Sequence, residues 1–212
     1  MNFFGHAIVA SKMRETSAGL VLGAMLPDFC AMVRARTTVF YDSTVQRGVA
    51  LHHDTDAAFH GARDFVELAS KTTAACEARG VSRGGARAVG HIGVELLLDA
   101  TLLPDLAGEA LYFNAMKLAS SERFADFEVE EHARVIAQLT RRIASYGSPS
   151  THSSPANVAD RLVRILTDRP RLRLDAHGGA MAREALEEIE PELRLRAPHL
   201  MRDVVAGLQS WT

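Results

Sequence analysis

Apolar positions recur at helical spacing along nearly the whole chain, as in Val129, Ala133, Ile136, Leu139 and Ile143, and sustained alternation of apolar and polar residues is absent. The pattern predicts an all-α protein, a compact helical bundle of about eight or nine helices. The expected helices run from Phe4 to Met13, Ser17 to Met32, Ser43 to Phe59, Arg63 to Ala78, Arg83 to Leu102, Ala107 to Ala119, Asp126 to Ser145, Asn157 to Thr167, and Gly179 to Gly207, the last with a break near Pro198. The interruptions have physical causes. Gly80 and Pro104 end helices, while Pro27 removes a backbone donor and pushes Leu26 toward an extended shape. The Ser- and Pro-rich stretch from Gly147 to Pro155 cannot continue a helix and leaves Asn157 as the cap of the next one. It reads as a surface connection inside a single domain over residues 1–212.

Two polar rows stand out against this background. His52, Asp56 and His60 are spaced by four residues, as are His91, Glu95 and Asp99. Four residues advance a helix by about 400°, so each row is a stripe whose neighbours lie about 6 Å apart along the axis and whose ends lie about 12 Å apart. Each helix therefore offers adjacent chelating pairs, and at least two helices must converge on an ion. His52 and Asp56 form one such pair. Glu95 and Asp99 form another, in an otherwise apolar stretch where an unmatched carboxylate costs several kcal/mol, so that a metal, a proton or a cation such as Arg83 or Arg87 is required. Gly90 and Gly93 each cost about 1 kcal/mol relative to Ala, which close approach by another helix would justify. His53 points about 100° away from the His52 pair, toward a second ion, a supporting hydrogen bond or a substrate phosphate. Upstream, His6 is polar within an apolar segment and reads either as a structural histidine or as a ligand, and Asp28 follows Pro27 at the expected kink, where it either points into a cavity or caps a following turn. Imidazole nitrogen and carboxylate oxygen without thiolate suit Zn²⁺, Mn²⁺ or Fe²⁺ in a catalytic rather than a structural site.

Composition narrows the options. Hydrophobic residues at 47% and charged residues at 24% are ordinary globular values, and a net charge of −2 argues against a nucleic-acid-coating protein. Arg141 with Arg142, and the run Arg164, Arg169, Arg171 and Arg173, make either a local basic patch or a solvated helix face. Cys30 and Cys76 lie far apart and outside any CxxC spacing, which fits a reducing cytoplasm. No apolar stretch approaches the roughly 18 residues of a membrane span, and the start of the chain lacks the pattern of a signal peptide. No nucleophile elbow and no phosphate-binding glycine loop is present.

The motifs also have an order: Met1-Asn2-Phe3-Phe4-Gly5-His6, then Gly23-Ala24-Met25-Leu26-Pro27-Asp28-Phe29, then Gly48-Val49-Ala50-Leu51-His52 with Asp56, then Glu95-Leu96-Leu97-Leu98-Asp99. In this order the chain resembles the acyl carrier protein phosphodiesterase family, whose members resemble divergent HD-type metal phosphohydrolases, and the likeness continues into Arg169-Pro170-Arg171-Leu172 and Ala197-Pro198-His199-Leu200-Met201. The resemblance implies an HD-domain-like, manganese-dependent hydrolase that removes the 4′-phosphopantetheine arm from holo acyl carrier protein. By position it implies Asp28, His52, Asp56 and Asp99 as site residues, with Glu95 replacing an Asp. Three positions depart from the pattern: His53 stands for a basic residue, His60 for an acidic one and Ala100 for a histidine, with His91 one turn before Glu95 as a possible compensation.

The combined expectation is a cytoplasmic metal-dependent phosphodiesterase of fatty acid metabolism. Its metal ligands are His6, Asp28, His52, Asp56, His91, Glu95 and Asp99; Asp28 also accepts a proton and His53 holds the phosphate. Mn²⁺ is the expected ion, with Zn²⁺ or Fe²⁺ as alternatives. Acyl carrier protein is the expected partner, docking on the arginines near 141 and 169, and neither nucleic acid nor a membrane span is expected. The rivals are a zinc-dependent hydrolase of the phospholipase C type and a non-catalytic helical binding module whose polar rows are ion-paired core residues.

Overall fold

In the computed structural model, which describes residues 1–102, 106–121, 124–149, 153–208 and 211, the helical periodicity is realised almost throughout. The helices are α1 (Phe3–Ser11), α2 (Ala18–Val33), α3 (Ser43–Gly61), α4 (Arg63–Ala78), α5 (Arg83–Ala88), α6 (Val94–Leu98), α7 (Leu106–Ala119), α8 (Glu131–Ser145), α9 (Pro155–Ile165) and α10 (Ala176–Gly207). A π-helical turn, Val89–Gly93, joins α5 to α6, and a 3₁₀ turn, Asp99–Thr101, follows α6. Among the described residues the protein is all-α apart from one small antiparallel pair, β1 (Thr37–Phe40) and β2 (Ala125–Phe127), with a register irregularity between Thr37 and Val39. Pro104, expected to stop a helix, lies outside the described residues.

Five expectations about the elements are corrected. The helix expected from Asp126 begins at Glu131, because Ala125 and Phe127 are buried in β2 while Asp126 faces out. That alternation lasts three residues, too short to register as a period. The cap of α9 is Ser154, whose hydroxyl accepts from Asn157 N at 3.3 Å, so Asn157 sits inside the helix with Pro155 in its first turn. α10 runs unbroken through Pro191 and Pro198, and α2 runs through Pro27. Pro191 and Pro198 are exposed, while Leu193, Ala197 and Leu200 on the same helix are buried; that burial offsets the lost backbone bonds. The stretch expected as one helix from Arg83 to Leu102 is the α5, π-turn, α6 and 3₁₀ succession.

Contacts gather the chain into two compact units: Met1–Ala58 with Leu103–Pro149 and Val204–Thr212, and Phe59–Leu102 with Ser150–Asp203. In the first, every residue of α1 from Phe3 to Ala10 is buried, as befits a helix that is apolar all round. Phe4 meets Tyr112 of α7 edge-on, with ring centres 5.3 Å apart, and Phe3 packs on Phe29 of α2. α2 and α3 touch backbone to backbone. A Cβ on Gly23 would stand 2.0 Å from the Val45 carbonyl oxygen, and one on Gly48 would stand 2.3 Å from that of Leu20. In the second unit α4, α9 and the α5–α6 segment pack around the π-turn over a core that includes Leu68, Val89, Leu97, Leu162 and Leu186. The last residues of α3, from Phe59 on, belong to this unit.

Candidate metal centres

The close crossing of α2 and α3 sets the first centre. It brings His52 Nδ1 to 2.9 Å from the Ala24 carbonyl, so Nδ1 carries the hydrogen and donates it, and Nε2 keeps its lone pair. That Nε2 lies 3.4 Å from Asp56 Oδ2. α1 adds His6, whose ring stacks on that of His52 with centres 3.9 Å apart and whose Nε2 lies 3.2 Å from Asp56 Oδ1. The Met1 ammonium donates to the same Oδ1 at 2.8 Å. His6 and His52 are 1% and 5% exposed, whereas the Asp56 side chain keeps about a third of its surface (32%) in solvent. Burial, with the neighbouring His6, pushes His52 down to about 4, so its imidazole is neutral near neutral pH. Burial works to raise the Asp56 pKa, but His6 and the Met1 ammonium outweigh it and hold the carboxyl well below its usual range. Two nitrogen donors and an anionic oxygen thus face one another.

The second centre forms where the end of α3 meets the π-turn. His60 Nε2 lies 2.9 Å from Glu95 Oε1, and His91 Nε2 lies 3.3 Å from the same oxygen. The two rings stack with centres 4.9 Å apart, and Phe65 stands edge-on to both. Burial alone would raise the Glu95 pKa. The hydrogen bond with His60 and the charge of His91 reverse this, and the net shift is downward. The π-turn matters here because it carries His91 itself. Gly90 within it lies so close to α4 that a Cβ would stand 2.5 Å from the Ala69 carbonyl oxygen.

In each triad the ligand atoms lie within 4.8 Å of one another. Each has the donor set to hold a divalent cation, and the absence of thiolate suits borderline ions. The Ala24 carbonyl that orients His52 is the kind of support that metal-bound histidines have.

The sequence-derived residues are distributed unevenly. His6, His52 and Asp56 converge, and His91 and Glu95 converge with His60 rather than with Asp99. Asp99 lies in the 3₁₀ turn at 1% exposure and belongs to neither triad. Asp28 is half-buried on α2, which stays helical through Pro27, and also belongs to neither. His53 is exposed, with its ring centre 5.4 Å from that of His52. His60, the third member of the first four-residue row and the residue standing where the family pattern has an acid, was not in the expected ligand set; it joins the second triad. No protein-family model, curated protein or solved structure matches this chain.

Proposed function

We propose that the protein is a metal-dependent phosphoester hydrolase, with His6, His52 and Asp56 holding one divalent ion and His60, His91 and Glu95 offering a second site. One observation carries this: the buried, neutral His52, tied through Nδ1 to Ala24, presents its other nitrogen to Asp56 beside a second buried imidazole. An ion bound there supplies Lewis acidity toward a phosphate oxygen. The chain's own residues do the rest. Burial keeps His52 uncharged so that its nitrogen stays a ligand, and Asp56 stays anionic and balances part of the ion's charge. His53, exposed beside His52, would hold a phosphate oxygen. The ordered motifs extend the proposal to the phosphodiester linking 4′-phosphopantetheine to acyl carrier protein, with Mn²⁺ as the ion and the cytoplasm as the location.

The test has two stages. Purified protein is analysed for metal and melted with and without Mn²⁺, Zn²⁺ or Fe²⁺; an ion at 100 times its Kd should add about 2.7 kcal/mol, or about 5–10 °C. Release of phosphopantetheine from holo acyl carrier protein, and hydrolysis of bis(p-nitrophenyl) phosphate, are then compared in wild type, His52→Ala and Asp56→Asn, with a loss of at least about 100-fold expected in both variants. No bound metal and no thermal shift would favour an ion-paired binding module. Metal-dependent turnover confined to lipid phosphoesters would favour the phospholipase C-like alternative.

A further inference from the structure

A cluster of charge in the second unit takes no part in metal binding. Arg83 and Arg87 lie one turn apart on α5, Arg164 lies in the last turn of α9, and Arg169, Arg171 and Arg173 follow in the segment leading to α10. All six are exposed, and none has an ion pair among the described residues. Most of the unit's other arginines are paired, Arg202 being exposed without an ion pair among the described residues. Arg63, Arg79, Arg183, Arg194 and Arg196 each sit against a Glu or Asp.

The connecting segment is held in place. Leu166 and Leu174, 0% and 4% exposed, anchor its two ends, Arg169 N donates to the Leu166 carbonyl at 3.0 Å, and Leu172 N donates to the Arg169 carbonyl at 2.8 Å. Gly84 lies directly against the Arg171 carbonyl, where a Cβ would stand 1.8 Å from the oxygen; this brings the start of α5 and the segment together. Arg171 and Arg173 alternate with the half-buried Leu172 and the buried Leu174, and Arg169 is exposed as well, so all three side chains are open to solvent. The segment's acids are Asp168 and Asp175, and Asp175 Oδ1 is engaged by Gly178 N at 2.7 Å. Like charges gathered on one unit without paired acids repel one another unless a partner neutralises them.

We propose that these six arginines form a docking surface for a carboxylate-rich segment of a protein partner. Guanidinium forks match carboxylates two bonds at a time, and Ile165, 45% exposed beside Arg164, supplies an apolar contact. Single-stranded nucleic acid fits less well, because the aromatic residues described in this unit, Phe59 and Phe65, are both buried and offer no stacking surface. The surface does not depend on either metal centre.

The test uses the full chain in EDTA and a fluorescein-labelled peptide rich in Glu, Asp and Leu, followed by anisotropy. The triple variant Arg169→Glu/Arg171→Glu/Arg173→Glu should weaken binding by about tenfold or more, and rising salt should weaken the wild type. A peptide with Gln and Asn in place of the acids should not bind. Arg202→Glu, an exposed arginine elsewhere in the unit, should change binding by less than about twofold. Should the triple variant fail to fold by circular dichroism, the Arg→Gln versions carry the same expectation. Absence of peptide binding, equal loss with Arg202→Glu, or tighter binding of a single-stranded oligonucleotide or anionic vesicles through the same arginines would each overturn the proposal.

Discussion

Replacing Gly48 by Ala tests whether the α2–α3 crossing builds the first centre. On an open helix face this change stabilises by about 1 kcal/mol. At Gly48 the new Cβ would stand 2.3 Å from the Leu20 carbonyl oxygen, 2.7 Å from Gly23 Cα and 2.8 Å from Ala24 N, all of them backbone atoms. Reaching ordinary contact requires the helices to part by about 1 Å, an overpacking cost of about 1–3 kcal/mol. The same displacement stretches the His52–Ala24 hydrogen bond from 2.9 Å, costing about 1 kcal/mol more. The penalty exceeds the propensity gain, and a net loss of about 2 kcal/mol should lower the melting temperature by about 4–8 °C. Urea unfolding followed by far-ultraviolet circular dichroism gives the free energy, with Gly61→Ala as control, since nothing lies within 4 Å of a Cβ there. Metal uptake at the His6 triad should weaken in Gly48→Ala alone. A Gly48→Ala protein as stable as Gly61→Ala would refute the crossing as the constraint.

Two further predictions concern stability directly. Because His52 is pushed from 6.5 down to about 4, the unfolded chain binds a proton in that interval that the folded chain refuses, so metal-free protein should be most stable above about pH 6.5 and lose up to about 3 kcal/mol as the pH falls to about 4. Urea titrations at several pH values should show this slope flattened in His52→Gln; an unchanged slope would remove His52 as its source. Pro191→Ala and Pro198→Ala restore backbone donors at exposed positions of the continuous α10, and each should raise stability by about 1–2 kcal/mol after allowing for the extra freedom of the unfolded chain. Thermal melts decide this, and destabilisation in either variant would count against it.

Most helices were legible because their apolar faces are long: α4 starts and ends where its periodicity does, and α1, α2 and α7 differ from expectation by one or two residues. Position-specific propensity misled more than it informed. Pro27 and Pro198 read as interruptions, yet the buried residues around them hold their helices together. The strand Ala125–Phe127 has too few residues to show a period, and its partner lies far away in sequence. For the site, the i, i+4 pair His52–Asp56 followed from helix geometry, as did the need for a second element, whereas the pair expected on the second row was Glu95–Asp99 and it is His91 that stands beside Glu95. Which residue completes each pair did not follow, because it depends on tertiary packing: His6 arrives from α1, and His60 reaches Glu95 while Asp99 turns into the core.

The second centre rests on the same device as the first, and a matched pair of glycines isolates it. Gly90 and Gly93 sit in the same π-turn and carry the same propensity cost in sequence. Their surroundings differ. A Cβ at Gly90 would meet Thr73 Oγ1 at 2.1 Å and the Ala69 carbonyl oxygen at 2.5 Å, and Thr73 Oγ1 is itself bonded to that oxygen at 2.8 Å, so neither atom can yield cheaply. At Gly93 the nearest atoms are methyl groups of Leu162, Leu186 and Val89 at 3.2–3.4 Å, which can give by small rotations. Gly90→Ala should therefore cost about 2 kcal/mol and carry His91 away from Glu95, while Gly93→Ala should stay within about 1 kcal/mol of wild type. Chemical denaturation measures the first effect. Divalent-ion titration of protein whose first centre is disabled by His52→Ala measures the second, with affinity falling in Gly90→Ala and holding in Gly93→Ala. Equal behaviour of the two glycines would mean that helix propensity, not the approach of α4, sets the geometry of the π-turn.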